Sequence, residues 1–207
     1  MEQTHSQAFI TAPSAISKFE PSLTSLQSNL EMWIRNAFVA SDMSSRLGLL
    51  CQQLELATLL GLIQLPDRFR AVQPDRYARR LIYEDSATGI SAIAMVWAPG
   101  QSTPLHDHSG LWGVEAVLAG EIETVPYHLI GHENGRYHFH PRPAERVTVG
   151  ASSYVMPPFE HHITRNASRQ VAITLNIYGG AMPACNIFLP TESGVYTLQR
   201  RTLTYSD

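Results

Sequence analysis

Gly100-Gln101-Ser102-Thr103-Pro104-Leu105-His106-Asp107-His108 sets two imidazoles one residue apart, behind a glycine and a proline. Successive side chains on a strand alternate sides, so His106 and His108 can grip one metal ion from one face while Asp107 points away. Gly100 and Pro104 mark a turn that delivers the chain into the strand at a fixed point. The run from Gly110 to Gly120 then continues as a mostly apolar strand closed by a glycine. His-x-His alone occurs in ordinary surface strands. Inside this frame it makes a metal site the leading expectation.

A two-histidine grip on one strand is completed from another, so the third ligand is expected far away in sequence. The segment from Gly150 to Asn166 carries Pro157-Pro158, Glu160-His161-His162 and Asn166. Together the two segments resemble the paired motifs of the cupin superfamily, in which the second motif ends in His-x3-Asn. That spacing selects His162 with Asn166, since His161 would have Arg165 in the asparagine's place. Adjacent strand residues face opposite ways, so only one of the two histidines readily joins the site. Many cupins also supply a glutamate from the first motif, and here that slot holds Gly113. Glu115, two residues on, can share the face but falls outside the usual spacing. It reads as a carboxylate serving a hydrogen bond or salt bridge. The expected ligand set is therefore three neutral histidines and no carboxylate.

Three-histidine cupins of this layout are thiol dioxygenases, and the segment from His106 to Gly120 is similar to the first iron-binding segment of the cysteine dioxygenase family. Upstream, Tyr77-Ala78-Arg79-Arg80-Leu81 resembles the family's Tyr-x-Arg segment, whose arginine holds the substrate carboxylate. Downstream, Thr174-Leu175-Asn176-Ile177-Tyr178 falls on the family's Ser-x-His-x-Tyr segment, with Cys185 at the expected distance beyond it. The similarity runs from about Tyr77 to Phe188.

This resemblance implies a mainly β chain, a cupin double-stranded β-helix (jelly-roll) barrel with an N-terminal α-helical region. It implies Fe(II) on His106, His108 and His162; affinity order alone would not select iron for three imidazoles. A small thiol would bind as thiolate, and both atoms of O2 would pass to sulfur to give a sulfinic acid. Arg79 would anchor a carboxylate in a bidentate, charge-assisted pair, which favours cysteine or a mercapto acid as substrate. Tyr178 would hydrogen-bond to oxygen or substrate. Tyr77 and Trp112 would shape the pocket, plain core packing being an equal alternative for Trp112. His161 is expected beside the ligands or at the rim. Two rival readings are a carbon–carbon cleaving three-histidine dioxygenase and a non-catalytic metal-binding cupin sensor. Arg79 and Tyr178 together favour an enzyme.

Two positions depart from the family pattern. Gly113 stands where mammalian members carry a cysteine cross-linked to the tyrosine, so no thioether to Tyr178 can form; bacterial members commonly have glycine there. Asn176 replaces the relay histidine, while Thr174 keeps the hydroxyl. An amide hydrogen-bonds but does not titrate near neutral pH.

The chain has 207 residues, enough for one good core, and a formal net charge of -3 that gives no case for nucleic acid or an anionic membrane. Residues 1–20 are polar and aperiodic, an expected arm; residues 21–207 are expected to form one cupin domain. Within it, a helical cap spans about 21–66 and the barrel about 77–207. Leu26, Leu30, Trp33, Ile34, Ala37 and Phe38 recur at helical spacing, and a second helix is expected after Asp42, with Leu47, Leu50, Leu54 and Leu60 on its apolar face. The two cysteines, Cys51 and Cys185, read as reduced thiols, and a cytoplasmic location is expected. No apolar run reaches membrane-spanning length. His138-Phe139-His140 repeats the His-x-His spacing behind the hairpin signal Asn134-Gly135 and reads as exposed strand, with His128 and His132 flanking it and His5 in the arm.

Overall fold

The computed structural model describes residues 22–207, so the arm expected over 1–20 and His5 lie outside the described residues. Helix α1 (Leu23–Ala37) buries Leu26, Leu30, Trp33, Ile34 and Ala37, the face the periodicity marks. Helix α2 (Met43–Leu59) starts where Asp42 accepts a hydrogen bond from Ser45 N at 2.9 Å, which satisfies one amide the helix itself cannot. It buries Leu47, Leu50 and Leu54. Leu60 falls one residue past the helix end and is 63% exposed, so it is not part of that face. No helix among the described residues is long and apolar enough to cross a membrane.

The rest of the chain is mainly β. One sheet holds β1 (Ala78–Glu84), β2 (Ser91–Trp97), β4 (Gly113–Ala119), β8 (Ser152–Val155) and β10 (Ala172–Tyr178), in the order β1-β2-β10-β4-β8. The other holds β3 (Leu105–His106), β5 (Glu121–Glu133), β6 (Arg136–Pro141), β7 (Glu145–Thr148), β9 (His162–Arg165), β11 (Ala184–Glu192) and β12 (Val195–Thr202), in the order β6-β12-β11-β3-β9-β5-β7. Between β5 and β6, Asn134 and Gly135 both take positive φ (50° and 75°), the conformation a tight hairpin of primed type requires. His138 and His140 are exposed on β6.

Strands β2 and β10 are buried along their whole length, and alternation divides their residues between two environments. Ala92, Ala94, Val96, Ile173, Leu175 and Ile177 pack with the helices in one core cluster. Met95, Trp97, Asn176 and Tyr178 point the opposite way, into a cavity between the sheets. Alanines on the helix-facing side leave room for the leucines of α1 and α2. The polar residues of β10 are thereby committed to the inner side.

Asn166, fully buried, ties the sheets together at one end. Its Nδ2 donates to Trp97 O at 3.0 Å and Gln170 O at 2.7 Å, and its Oδ1 accepts from Ser168 N at 3.0 Å. Its backbone bonds to Gly100 and Gln101, at the turn that feeds the histidine pair. Asn166→Ala leaves a strand carbonyl without its donor in the core, and the expected cost is roughly 2–3 kcal/mol. Urea unfolding of the metal-free protein measures it; a change within error would show that this asparagine does not hold the turn.

Candidate metal centre

β3 is only two residues long, yet it lies between β11 and β9 and sets His106 directly opposite His162 in the β3–β9 register. Between the two histidines of the first motif, buried Asp107 turns away from the cavity. Its carboxylate accepts from Ser109 N at 3.0 Å, Asn186 N at 2.9 Å and Asn186 Nδ2 at 2.7 Å. These bonds pin the His-x-His backbone to β11 and so fix the directions in which His106 and His108 project.

His162 meets both other rings edge to face, with centroids 4.6 Å from His106 and 5.0 Å from His108, and His106 and His108 lie tilted 5.5 Å apart. One nitrogen from each lies within 4.8 Å of the others. His106 Nδ1 sits 3.1 Å from Pro104 O and His162 Nδ1 2.7 Å from Glu160 O, contacts that make both Nδ1 atoms donors. Their Nε2 lone pairs are then available to a metal. Loss of water in the cavity holds His106 down to about 4 and His162 to about 3, and it pushes His108 well below its ordinary value, with the neighbouring imidazoles adding to the effect. All three are neutral at physiological pH, as ligation requires. Three neutral imidazoles on rigid backbone suit a divalent transition metal.

The cavity has two lobes that share Met95, Thr103, His106 and Tyr178. Tyr77, Arg79 and Cys185 line the first. Arg79 is 7% exposed; among the described residues its Nη1 reaches only Thr204 O, at 3.5 Å, and its Nη2 is buried without a partner. The C-terminal segment closes over it, with Ser206 N bonded to Arg79 O at 2.6 Å and the Tyr205 ring 5.7 Å from the guanidinium carbon. Burial keeps the Tyr178 phenol protonated far above its usual range, against the pull of Arg79, and among the described residues its hydroxyl donates only to Met95 Sδ, at 4.0 Å.

The second lobe carries Glu115, Tyr154 and Asn176. Asn176 Nδ2 donates to Thr174 Oγ1 at 2.7 Å, and Trp97 Nε1 donates to the same oxygen at 3.2 Å. With two donors on its oxygen, the Thr174 hydroxyl has its own proton left to donate, and Thr174 pulls the Glu115 carboxyl down. Asn176 is thus tied to Thr174 rather than to Tyr178, contrary to a relay along the strand.

Residues 65–190 match the family model for cysteine dioxygenase type I. The chain belongs to the cysteine dioxygenase type I family. Among solved structures, a protein of Thermus thermophilus is 20% identical over 57% of this chain and 96% of its own, with a TM-score of 0.43. A protein from Klebsiella pneumoniae with a double-stranded β-helix domain is 18% identical over 58% of this chain and 91% of its own, at 0.43. An oxalate oxidase in complex with the substrate analogue glycolate is 19% identical over 57% of this chain and 59% of its own, at 0.42.

In this family member, a Cβ at Gly113 would stand 3.3 Å from Tyr178 Cδ1 and 2.9 Å from His108 Nδ1, so glycine lets the imidazole and the phenol lie side by side. Two expectations need correction. Trp112 does not line the cavity; its ring packs with Phe38 at 5.8 Å and covers Gly179, where a Cβ would lie 2.4 Å from the indole nitrogen. His161 turns into an aromatic cluster, 5.1 Å from Phe139 and 5.4 Å from Phe188, because it precedes His162 on an extended segment and must face the other way. The sequence reading also missed Met95 and Met182, apolar residues on the cavity wall that no motif marks.

Glu115 keeps some surface open to the cavity, yet so little water reaches it that burial raises its carboxyl from 4.5 to about 7, against the Thr174 hydrogen bond. The unfolded chain gives up this proton near 4.5 while the folded one holds it to about 7. The stability it contributes is therefore full below pH 4.5 and is lost as pH rises toward 7. Glu115→Gln is neutral throughout, so the melting temperature of the metal-free variant should gain on the parent between pH 4 and pH 8. A gap that stays constant across that range would mean the carboxyl titrates normally.

Proposed function

We propose that the protein is an iron-dependent thiol dioxygenase, transferring both atoms of O2 to the sulfur of a small carboxylated thiol and releasing a sulfinic acid. The observation that carries this reading is Arg79: a buried guanidinium without an acidic partner among the described residues, in a lobe it shares with His106 and the protonated phenol of Tyr178, next to the lobe that holds His108 and His162. A buried unmatched charge is costly, and an entering carboxylate relieves it. Family membership supplies the reaction class, and the same reading takes the two sheets as a cupin jelly roll in one domain with its helical cap.

His106, His108 and His162 would hold Fe(II), which when bound supplies the redox chemistry that lets dioxygen react with sulfur. Arg79 pairs with the substrate carboxylate in a bidentate contact, and Tyr77 beside it limits where the carbon chain can lie. Tyr178 keeps its proton and offers it as a hydrogen bond to whatever occupies the centre of the cavity. Met95 and Met182 exclude water and bring soft, adaptable surface against a thiol. Asn176 cannot accept the thiol proton, so the thiol enters as thiolate or yields its proton to solvent. The two free cysteines, both buried, suit a reducing cytoplasm in which such substrates stay as thiols.

Oxygen uptake with a panel of small thiols against a panel of β-diketones tests the reaction class, labelled dioxygen placing both atoms in the sulfinate; uptake on β-diketones alone would sink the proposal. His106→Ala, His108→Ala and His162→Ala should each remove most bound iron, read by metal analysis, while His161→Ala should keep it. Iron loss on His161→Ala alone would shift the second motif by one residue. Arg79→Gln should raise KM for a carboxylated thiol by about 1.5–3 kcal/mol of lost charge-assisted contact and hardly affect a thiol without a carboxylate. Equal losses on both would remove Arg79 from substrate binding.

A further inference from the structure

Just before its last residue, β12 carries two consecutive arginines that alternation sends to opposite faces. Arg200 Nη1 donates to Ser109 Oγ at 3.0 Å and Asn186 Oδ1 at 3.3 Å, outside the cavity. Arg201 sits across from Cys185 in the β11–β12 register and lines the Arg79 lobe together with Leu203, two residues further on. Burial raises the Tyr77 phenol and the Cys185 thiol, and both the Arg79 and the Arg201 guanidiniums pull against that rise, so the two cations act on the same small space.

Neither cation is met by a carboxylate among the described residues. The ion pairs of the described residues employ Arg35, Arg136, Arg146 and Arg165, and no aspartate or glutamate lines this lobe. Arg79 lies deep, with Nη2 buried and unpartnered, and Arg201 stands exposed at the mouth. One carboxylate against Arg79 leaves the second charge unanswered. A ligand with two acid groups answers both.

We propose that Arg201 is a second carboxylate-binding residue and that the preferred substrate is a thiol bearing two carboxylates. This rests on the thiol dioxygenase reading above, but Arg201 lies beyond the family-matched segment, residues 65–190, so family membership does not assign it. The inner carboxylate engages Arg79 and sets the sulfur toward the three histidines. The outer one engages Arg201 and adds affinity without touching the reacting atoms. Arg201 therefore selects substrate through KM and leaves kcat nearly unchanged.

Mercaptosuccinate and 3-mercaptopropionate differ by one carboxylate and make the comparison direct. In the iron-loaded enzyme, kcat/KM should favour mercaptosuccinate by roughly tenfold, the discount for an exposed pair being offset by its position over a deep one. Arg201→Gln should erase that preference through KM and leave 3-mercaptopropionate unaffected. In metal-free protein, succinate should raise the melting temperature more than propionate at equal ionic strength, and Arg201→Gln should remove the difference. Oxidation of 3-mercaptopropionate as efficiently as mercaptosuccinate, or an Arg201→Gln loss equal on both thiols, overturns this proposal and leaves the dioxygenase reading standing. Oxidation of other small thiols but of neither of these two also overturns this proposal; if the iron-loaded enzyme oxidises no thiol of the panel, the dioxygenase reading falls and takes the substrate proposal with it.

Discussion

A guanidinium and three imidazoles share one cavity between two sheets, and the cavity admits too little water to solvate their charges. The imidazoles answer this by remaining neutral, His106 at about 4 and His162 at about 3. Arginine cannot answer in the same way, because its guanidinium does not give up a proton at any accessible pH. The cost of burying Arg79 persists until an anion arrives, so the folded chain carries a built-in preference for an anionic ligand beside three metal-ready lone pairs. The two features depend on the same exclusion of water. Opening the cavity would relieve Arg79 but would also let the imidazoles protonate and compete with a metal.

That arrangement needs a backbone that does not yield. The histidine pair lies on a very short strand whose own ladder is slight, and Asp107 makes up for this with three hydrogen bonds to Ser109 and Asn186. At the other end of the same turn, Asn166 gathers Trp97, Gln101 and Gly100. The residue between the two histidines thus helps hold the site although it faces away from it. Strand alternation makes the division of labour possible: odd and even positions of one segment serve ligand and scaffold separately.

The polar side of β10 shows how one substitution redistributes a hydrogen-bond network. Asn176 turns its amide to Thr174, and Thr174 also receives Trp97. Tyr178 is left facing thioether sulfur and the His108 ring, 5.2 Å away edge-on. Among the described residues its proton has only this thioether, at 4.0 Å, as an acceptor, and is free to meet a ligand. Among the described residues, the one carboxyl on the cavity wall, Glu115, stands in the opposite lobe, held up to about 7 by the same scarcity of water that keeps the imidazoles neutral.

Much of this was legible in the linear chain. Helical spacing from Leu26 to Ala37, the Asp42 cap, the Asn134-Gly135 turn and the alternation of Thr174, Asn176 and Tyr178 are local properties, because propensity and periodicity act within a few residues. The choice of His162 over His161 followed from its spacing to Asn166 and from the parity of a strand. What the sequence could not decide was which side of a wall a residue ends on when its neighbours are distant in the chain. Trp112 goes to the helices because Phe38 and Gly179 leave it a slot there, and Leu60 drops out of its helix face because the helix stops one residue earlier. Arg201 reaches the cavity only because β12 pairs with β11 at Cys185, and Arg79 loses its water only because the segment around Tyr205 folds back over it. Those outcomes are set by register and closure between remote segments, which packing fixes cooperatively and no local pattern encodes.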